Sequence, residues 1–454
     1  MQALPEEFKR RITSRLGEEA GSFFKVLDGP ATTSIRLNPD KVKGFLSSEQ
    51  VPWCRQAYHL ERRPVFATDP LWHAGAYYVQ DASSMILDHL VRNLDLPVHP
   101  LALDLCAAPG GKSTVLASAL PSGFIVANEV IRNRVGMLQE NLAKWGTVNT
   151  AVCNADPSQF KVLRETFDIL VVDAPCSGEG LFRKDPAARG EWSEDLVSMC
   201  SARQRRILSD AIGVLKPGGF LVYSTCTFAE EENEANVGWL HSQGFELAMP
   251  AVPTGLNIED SGSGWRFWPH RLSGEGFFVA VLRKTSGEEN EGKGRDRREE
   301  KVKNKFLSEM KSWVSGDWSY DQDKNGVIRI VPEAFSEIIP RLEKEMRFRS
   351  CGISLAQQIR DELKPQPEAA LAAGLNRGIF PEIQLDHAQA LKYLSREEIP
   401  FVDFKGSWAL IVFGGVPLGW VKNAGTRLNN YYPKEWRLIT RFDPSQWFSL
   451  PVEN

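Results

Sequence analysis

The 454-residue sequence lacks several features that would assign its class at once. Its seven cysteines, scattered from Cys54 to Cys351, form no C-x-x-C pair, which argues against both a disulfide framework and a zinc site. No stretch reaches the roughly 18 apolar residues that a membrane-spanning helix needs. The charged N-terminus has no apolar segment of signal-peptide length. We therefore expect free thiols, no bound metal, and a cytoplasmic protein without a membrane partner.

An excess of positive charge is also missing. The chain has 54 Lys and Arg against 58 Asp and Glu, a net charge of −4, so any surface for nucleic acid must be local. No internal repeat is present, and 42% hydrophobic with 25% charged residues is the composition of a globular protein. The length favours about two to four domains.

Strand-like and helix-like segments alternate between residues 101 and 284. The apolar strand-like segments are "LALDL", "GFIVANE", "TAVCNAD", "FDILVVD", "GGFLVYST" and "GFFVAVLRK". Residues 132–146 and 199–219 have the pattern of helices between them. This alternation predicts an α/β domain with a doubly wound parallel sheet.

A strongly charged segment follows the last of these strands and predicts a linker. An α+β region precedes the central domain, and modules rich in aromatic residues and short β-like runs follow the linker. The predicted boundaries are 1–95, 96–285, 286–305 for the linker, 306–385 and 386–454.

The segment "LDLCAAPGGKST" joins the first strand of the central domain to a helix. Its glycines, Gly110 and Gly111, would let a ligand approach the helix N-terminus. One interpretation is a Walker A loop of a P-loop nucleotide hydrolase, which would use Lys112 and Ser113. Against it, Cys106 occupies the position of the first Walker A glycine.

Carboxylates at the strand ends favour a nucleoside cofactor instead. Glu129, Asp156 and Asp173 each end a strand-like segment, so they should share one edge of the sheet. Glu129 suits a ribose diol and Asp156 suits an adenine amino group. Together the acids suit a cationic sulfonium or amine better than a triphosphate. S-adenosylmethionine meets these requirements, and we predict it as the cofactor.

Two cysteines, Cys176 and Cys226, follow strands beside this loop. A thiolate that adds to C6 of a cytosine makes C5 nucleophilic enough to accept a methyl group, after which C5 loses its proton and the thiol leaves. The segment after Cys226, "TFAE" (227–230), has a capping-box pattern that predicts a helix start and an activated thiol. Cys176 lies three residues after Asp173 and should face the same pocket. Either thiol alone would be read as an inert buried cysteine, but the pair favours catalysis.

The motifs "DLCAAPGGKS", "DAPCSGEG" and "YSTCT" resemble those of the RNA cytosine-C5 methyltransferases, which include bacterial ribosomal enzymes and eukaryotic NSUN proteins. The resemblance implies that Cys226 is the nucleophile and that Cys176 is needed to release product. It implies that Asp173 orients the cytosine, with Lys112 nearby. The residues implied to hold S-adenosylmethionine are Cys106, Ala107, Ala108, Pro109, Gly110, Gly111, Lys112, Glu129, Arg134, Asp156 and Asp173.

The resemblance extends beyond the central domain. "SIRLNPDK" and "HAGAYYVQDASSM" resemble the N-terminal region of the 16S rRNA enzymes, and residues 418–438 resemble the PUA-like module of one 16S rRNA subfamily. The resemblance implies a Rossmann-like class I methyltransferase domain that lies between RNA-binding regions. We expect the protein to act as a monomer on 16S rRNA or the small ribosomal subunit. A tRNA cytosine-C5 methyltransferase, a P-loop-like ATPase and a catalytically silent RNA-binding protein remain alternatives.

Basic and aromatic residues near the C-terminus are candidates for RNA contact. Between residues 421 and 441 the only acid is Glu435. The candidates are Lys422, Arg427, Lys434, Arg437 and Arg441, interleaved with Tyr431, Tyr432 and Trp436. This mixture suits phosphate contact and base stacking, although the aromatic residues could equally form the core of a β module. Further candidates are residues 53–63, Arg183 and Lys184.

Overall fold

The computed structural model describes residues 2–285 and 306–452, so the predicted linker 286–305 lies outside the described residues. The N-terminal region contains α1 (Glu6–Leu16), α2 (Ala20–Leu27), β1 (Thr33–Leu37), β2 (Ala57–Leu60), α3 (Pro70–His73), β3 (Tyr77–Val79) and α4 (Ile86–Arg92). Its strands form an antiparallel sheet in the order β2-β1-β3. Phe8, Ile12 and Leu16 lie at helical spacing and bury one face of α1.

The central domain carries the predicted α/β alternation. Its strands are β4 (Leu101–Asp104), β5 (Phe124–Asn128), β6 (Thr150–Cys153), β7 (Phe167–Asp173), β8 (Leu215–Thr225), β9 (Phe245–Leu247), β10 (Glu259–Asp260), β11 (Trp265–Phe267) and β12 (Phe277–Lys284). Its helices are α5 (Gly111–Ala119), α6 (Arg132–Trp145), α7 (Ala188–Glu191), α8 (Glu194–Ala211) and α9 (Glu234–Ser242). Strands β6-β5-β4-β7-β8 are parallel in that order, and β12 pairs antiparallel with β8. The predicted doubly wound sheet is confirmed.

Both faces of this sheet are buried, which explains its continuous apolar strands. Side chains alternate between the faces, so Leu103 and Leu170 belong to one apolar cluster. Their neighbours Ala102 and Ile169 belong to the cluster on the opposite face.

Two further sheets follow residue 306. The elements are α10 (Leu307–Trp313), β13 (Trp318–Gln322), β14 (Val327–Pro332), α11 (Ile339–Met346), β15 (Ser350–Cys351), β16 (Ile353–Ile359), β17 (Glu362–Pro365), α12 (Pro367–Leu371), β18 (Glu382–Gln384), α13 (His387–Leu394), β19 (Trp408–Phe413), β20 (Val416–Asn423) and β21 (Leu428–Asn430). One sheet has the order β13-β14-β16-β17 and the other β18-β19-β20-β21. Gly414 and Gly415, both with positive φ, form the tight turn between β19 and β20.

The C-terminal part is joined directly to the central sheet. Strand β15 pairs antiparallel with β6, so residues 350–351 extend the central sheet. Gly146, with φ of +81°, closes α6 against the Leu371 carbonyl, where an added Cβ would lie only 2.0 Å from the oxygen. Only glycine permits this approach. Across residues 2–285 and 306–452, no helix combines the length and apolarity that crossing a membrane requires.

Candidate active site

The candidate site lies at the carboxyl edge of the parallel strands. Strand β4 pairs with β5 on one side and β7 on the other, so the order of the chain reverses there. Such a switch point opens a crevice in which open α/β sheets bind their ligands. The loop from Cys106 to Gly110 leaves β4 at this crevice, and Cys176 and Cys226 follow β7 and β8.

The loop after β4 is held by polar side chains of α6. Gly110 has φ of +115°, a left-handed conformation, and is the N-cap residue directly before α5. Arg134 donates a hydrogen bond to the Ala108 carbonyl at 2.7 Å, and Asn141 donates to the Pro109 carbonyl at 2.8 Å. Arg134 is therefore not simply a solvated surface residue, since it fixes the backbone of the predicted cofactor loop.

The structure places Glu129 beside this loop and Asp156 further away. The Glu129 carboxylate is buried, accepts a hydrogen bond from Ile131 N–H at 2.7 Å, and lies 3.5 Å from Arg134. Asp156 lies beyond the end of β6, where it caps a short 3₁₀ helix by accepting hydrogen bonds from Ser158. These bonds lower the pKa of Asp156. Both acids are at the predicted edge of the sheet, and Asp156 has a capping role there.

Asp104 at the end of β4 is a residue that the sequence interpretation missed. It is fully buried and accepts a hydrogen bond from Ser113 Oγ at 2.6 Å. Its other oxygen, Oδ1, has no hydrogen-bond partner among the residues that the structure describes. Burial raises the pKa of Asp104 to about 7. The signal in the sequence was an acid inside the apolar segment "LALDL", where an aspartate is costly unless it has a use.

The acidic residues around the loop after β4 fit S-adenosylmethionine. The unpaired buried oxygen of Asp104 is an acceptor for a ligand donor at the start of the loop. The carboxylates of Asp104, Glu129 and Asp173 all act electrostatically on the Cys106 thiol, so they surround the same loop. A group of acids with one free acceptor suits a ligand that carries an amino group and a sulfonium.

Lys112 and Asp173 form an ion pair that links this loop to the end of β7. Lys112 Nζ lies 2.8 Å from Asp173 Oδ2, and Ser224 Oγ donates to Asp173 Oδ1 at 2.8 Å. Burial lowers the pKa of Lys112, but Asp173 outweighs that effect, so the pKa is raised and the ammonium group stays charged. Paired in this way, Lys112 differs from the Walker A lysine, which reaches a phosphate.

The two predicted thiols meet. Cys176 Sγ lies 3.0 Å from Cys226 Sγ, and Cys226 N–H donates to Cys176 Sγ at 3.3 Å. Both side chains are half-buried, so both remain partly accessible. The hydrogen bond with Cys226 and burial hold the pKa of the Cys176 thiol well above its usual value. Cys176 therefore keeps its proton and can donate it toward Cys226.

The predicted helix start at "TFAE" is wrong. Helix α9 begins only at Glu234, and residues 227–233 form a loop and turns. The hydroxyl of Thr227 donates to the Glu179 carboxylate at 3.0 Å, and Arg15 of α1 pairs with Glu230 at 2.5 Å. Glu230 is thus engaged by a distant segment, and although Thr227 Oγ1 accepts a local hydrogen bond from Ala229 N–H at 3.2 Å, the chain turns there without starting a helix. Cys226 gains no activation from a helix N-terminus.

Several RNA-contact candidates prove to be structural. Tyr432 is buried in the core of the last module. Tyr431 packs edge-on against Trp408 with their ring centroids 4.6 Å apart. The prediction for Arg183 is wrong, because this side chain is buried and pairs with Glu275 at 3.0 Å. By contrast, Lys184 is exposed, so it stays a candidate for RNA contact.

Trp53, in the segment 53–63, is also buried and donates to the Ala82 carbonyl at 2.7 Å. Arg441 is highly exposed and lies 3.2 Å from Glu397. Lys422 lies over the Trp408 ring, 5.5 Å from its centroid. The exposed cations therefore remain candidates for phosphate contact, whereas the buried aromatic residues do not.

The strand order and the loop at its switch point are those of Rossmann-like methyltransferases, and two adjacent strand-end thiols suit transfer to a pyrimidine carbon. Comparison with known proteins shows which methyltransferases this chain is similar to. A family model for 16S rRNA methyltransferase RsmB/F matches residues 92–283. Models for the N-terminal domain of 16S rRNA methyltransferase RsmF and for the methyltransferase RsmF PUA domain match residues 4–82 and 380–438.

Relatives match over nearly the whole chain. Ribosomal RNA small subunit methyltransferase F of Klebsiella pneumoniae is 33% identical over 468 residues, covering 95% of this chain and 96% of the relative. The protein of the same name from Cronobacter sakazakii is 32% identical over 477 residues, with coverage of 95% and 96%. The chain belongs to this family of 16S rRNA methyltransferases, and the P-loop ATPase alternative is excluded.

Solved structures agree with this fold. A methyltransferase homolog protein from Pyrococcus horikoshii has a TM-score of 0.53 and 29% identity, covering 62% of this chain and 95% of its own. The structure of NSun6 from the same organism with SFG has a TM-score of 0.54 and 22% identity, covering 63% and 100%. The second likeness supports the fold alone.

Proposed function

We propose that this protein transfers a methyl group from S-adenosylmethionine to C5 of a cytosine in 16S rRNA, through a transient bond between Cys226 and C6. The observation that carries this proposal is the 3.0 Å contact between Cys226 Sγ and Cys176 Sγ beside the cofactor loop. Membership of the 16S rRNA methyltransferase family supports the rRNA substrate over the tRNA alternative.

Cys226 acts as the nucleophile in this proposal. The Cys226 sulfur bonds to C6 as the proton of its thiol is relayed to N3, where the Asp173 carboxylate accepts a hydrogen bond from N3–H and orients the base, and electron density develops at C5. S-adenosylmethionine, when bound, supplies a methyl group on a positively charged sulfur. After C5 has accepted that group it loses its proton to a base. The bond from C6 to Cys226 then breaks with its electron pair on sulfur, N3 gives up its proton, and the aromatic ring is restored.

Cys176 and Lys112 assist this sequence. Cys176, which keeps its proton, stabilises the departing Cys226 sulfur by hydrogen bonding and so promotes product release. The charged Lys112 lies within electrostatic range of the Cys226 sulfur. Lys112 also holds Asp173 in place through their ion pair.

The cofactor would lie along the loop after β4. Residues Cys106 to Lys112 form this loop, Arg134 fixes its backbone, and Glu129 and Asp173 pair with Arg134 and Lys112 beside it. Asp156 lies further away at the same edge of the sheet and stays a candidate for the adenine amino group. To the residues predicted from the sequence we add Asp104, whose Oδ1 is an unpaired acceptor. The regions flanking the predicted central domain would hold RNA, with the target cytosine unpaired or turned out of its helix. We further propose that the enzyme acts as a monomer in the cytoplasm.

The proposal is tested by incubating the enzyme with methyl-labelled S-adenosylmethionine and, separately, small ribosomal subunits, free 16S rRNA and tRNA. Label should enter a cytosine of the subunit or the free rRNA, and bisulfite mapping should locate it. Label in tRNA alone would overturn the choice of substrate. RNA binding with no transfer to any of the three would favour the silent RNA-binding protein.

A further inference from the structure

A buried carboxylate after Cys176 reaches across to the segment after Cys226. Glu179 accepts hydrogen bonds from Thr227 Oγ1 at 3.0 Å and from Phe228 N–H at 2.9 Å. Thr227 and Phe228 are the two residues that directly follow Cys226 in the chain. Glu179 is buried, so these bonds form away from bulk water.

A second buried carboxylate makes the reciprocal connection. Glu232, which follows Cys226, accepts a hydrogen bond from the backbone N–H of Ser177 at 3.0 Å and another from the Ser177 hydroxyl. Ser177 directly follows Cys176. Gln204 of α8 donates to Glu232 at 2.7 Å and holds it in place. Each cysteine loop therefore carries an acid that binds the other loop.

The hydroxyl groups next to the two cysteines complete the connection. Ser177 Oγ and Thr227 Oγ1 lie 2.9 Å apart. Burial raises the pKa of Glu179 and of Glu232, the latter to about 6. Burying two acids is unfavourable unless each oxygen finds donors, and apolar residues would fill the same space more cheaply. Acids at these positions are therefore explained better by the geometry they impose than by stability.

We propose that Glu179 and Glu232 are positioning residues that hold the loops of Cys176 and Cys226 so that the two thiols meet. Neither acid touches the substrate in this proposal. The inference rests on the proposed function, because it assigns the 3.0 Å thiol contact a part in catalysis. A displacement of about 1 Å in a catalytic group can lower a rate roughly 100-fold.

The test uses the full-length protein with Glu179→Gln and Glu232→Gln, each of which keeps the side-chain shape but removes one strong acceptor. Both should lower kcat by about 10- to 100-fold, while KM for RNA and for S-adenosylmethionine changes by less than about twofold. The matched control is Glu230→Gln, since Glu230 is exposed and, within residues 2–285 and 306–452, its carboxylate pairs with Arg15 alone. That control should keep the wild-type kcat.

A second measurement is independent of methyl transfer. Diamide takes one hydrogen from each thiol as the Cys176–Cys226 disulfide forms, and mass spectrometry of digests gives the rate. This rate should fall in both acid variants and remain unchanged in Glu230→Gln. Ser177→Ala, which removes one hydroxyl from the connection, should also lower kcat and the rate of disulfide formation. This variant replaces a Gln variant that fails to fold.

The outcomes separate the two proposals. Unchanged kcat and unchanged disulfide rate in the folded acid variants would overturn the positioning role, even with Cys226→Ala inactive. A large rise in KM at constant kcat would also overturn it, because the acids would then act on binding. Full methylation by Cys226→Ala would instead overturn the proposed function, while the disulfide rate would still report whether the acids position the thiols.

Discussion

Lys112 Nζ lies 2.8 Å from Asp173 Oδ2 and joins the loop after β4 to the end of β7. This ion pair connects the part of the site that would hold the cofactor with the part that would hold the base. A single interaction therefore couples two sites that must be aligned for transfer.

Replacing Asp173 by Asn should lower the single-turnover methylation rate by about 100-fold or more. The Asn amide cannot hold Lys112 by charge, and it is a poorer partner for the N3 proton. Rates are compared at saturating RNA and cofactor. Asp210→Asn is the matched control, because it weakens the ion pair of a half-buried aspartate with Lys161 outside the site, and it should leave the methylation rate unchanged. Equal rates in the two variants would remove Asp173 from the mechanism.

The two cysteine variants should differ in kind. Cys226→Ala should abolish methylation and still bind S-adenosylmethionine, because Cys226 is proposed to bond only to the RNA. Cys176→Ala should accumulate a covalent protein–RNA adduct, visible as a shifted band on a denaturing gel. Cys54→Ala, a buried thiol outside the site, is the control and should form none. Normal turnover by Cys176→Ala would rule out its role in product release.

Arg134→Ala should weaken S-adenosylmethionine binding about tenfold, since it removes the hydrogen bond to the Ala108 carbonyl. At saturating cofactor, kcat should change little. Calorimetric titration measures the dissociation constant. Arg132→Ala, in the same exposed first turn of α6, should bind as the wild type does. The same dissociation constant for both variants would contradict the assigned role of Arg134.

Asp104 should make stability depend on pH in a definite direction. Its pKa in the folded protein is raised to about 7 from an ordinary 3.8. Between these values the folded state binds more protons than the unfolded state. The contribution of Asp104 to the free energy of unfolding therefore falls as pH rises. Asp104→Asn should therefore gain stability relative to wild type as pH rises from 4 to 7, measured without cofactor by thermal unfolding.

Asp156→Asn provides the contrast to that experiment. The pKa of Asp156 is lowered by Ser158, so its contribution is present above the ordinary pKa and is lost as pH falls. The contribution of Asp156 to stability should therefore be nearly constant above about pH 5 and should fall only below about pH 4, so the difference between Asp156→Asn and wild type should stay flat where that of Asp104→Asn changes. Curves for Asp104→Asn that stay parallel to wild type across this range would show that Asp104 ionises normally.

Arg183→Ala should destabilise the protein by about 3 kcal/mol, because it leaves Glu275 buried without its partner. Urea unfolding measures this loss. The neighbouring Lys184→Ala changes an exposed side chain and should stay within about 0.5 kcal/mol. If the two variants were equally stable and Arg183→Ala reduced RNA binding instead, the original interpretation of Arg183 as an RNA contact would be restored.

Sequence reasoning worked best where the signal was local. The alternation of apolar strand-like and helix-like segments predicted the parallel sheet. The glycine loop and the candidate residues at neighbouring strand ends predicted which segments share one edge of that sheet. It failed where a distant segment intervened. The "TFAE" pattern is a sound local capping signal, but Arg15 and Glu179 engage its groups from other parts of the fold. The pairing of β15 with β6 had no local signal either, since a two-residue strand carries no period.

By itself the sequence determined the secondary-structure period, the identity of the motif residues and the family, because these depend on neighbouring residues along the chain. Only the tertiary structure decided that Cys176 and Cys226, fifty residues apart, lie at 3.0 Å, and that Glu179 and Glu232 cross between their loops. It also decided that Asp104 is buried with an unpaired oxygen. Contact, burial and the resulting pKa values depend on which distant segments pack together, and no local pattern contains that information.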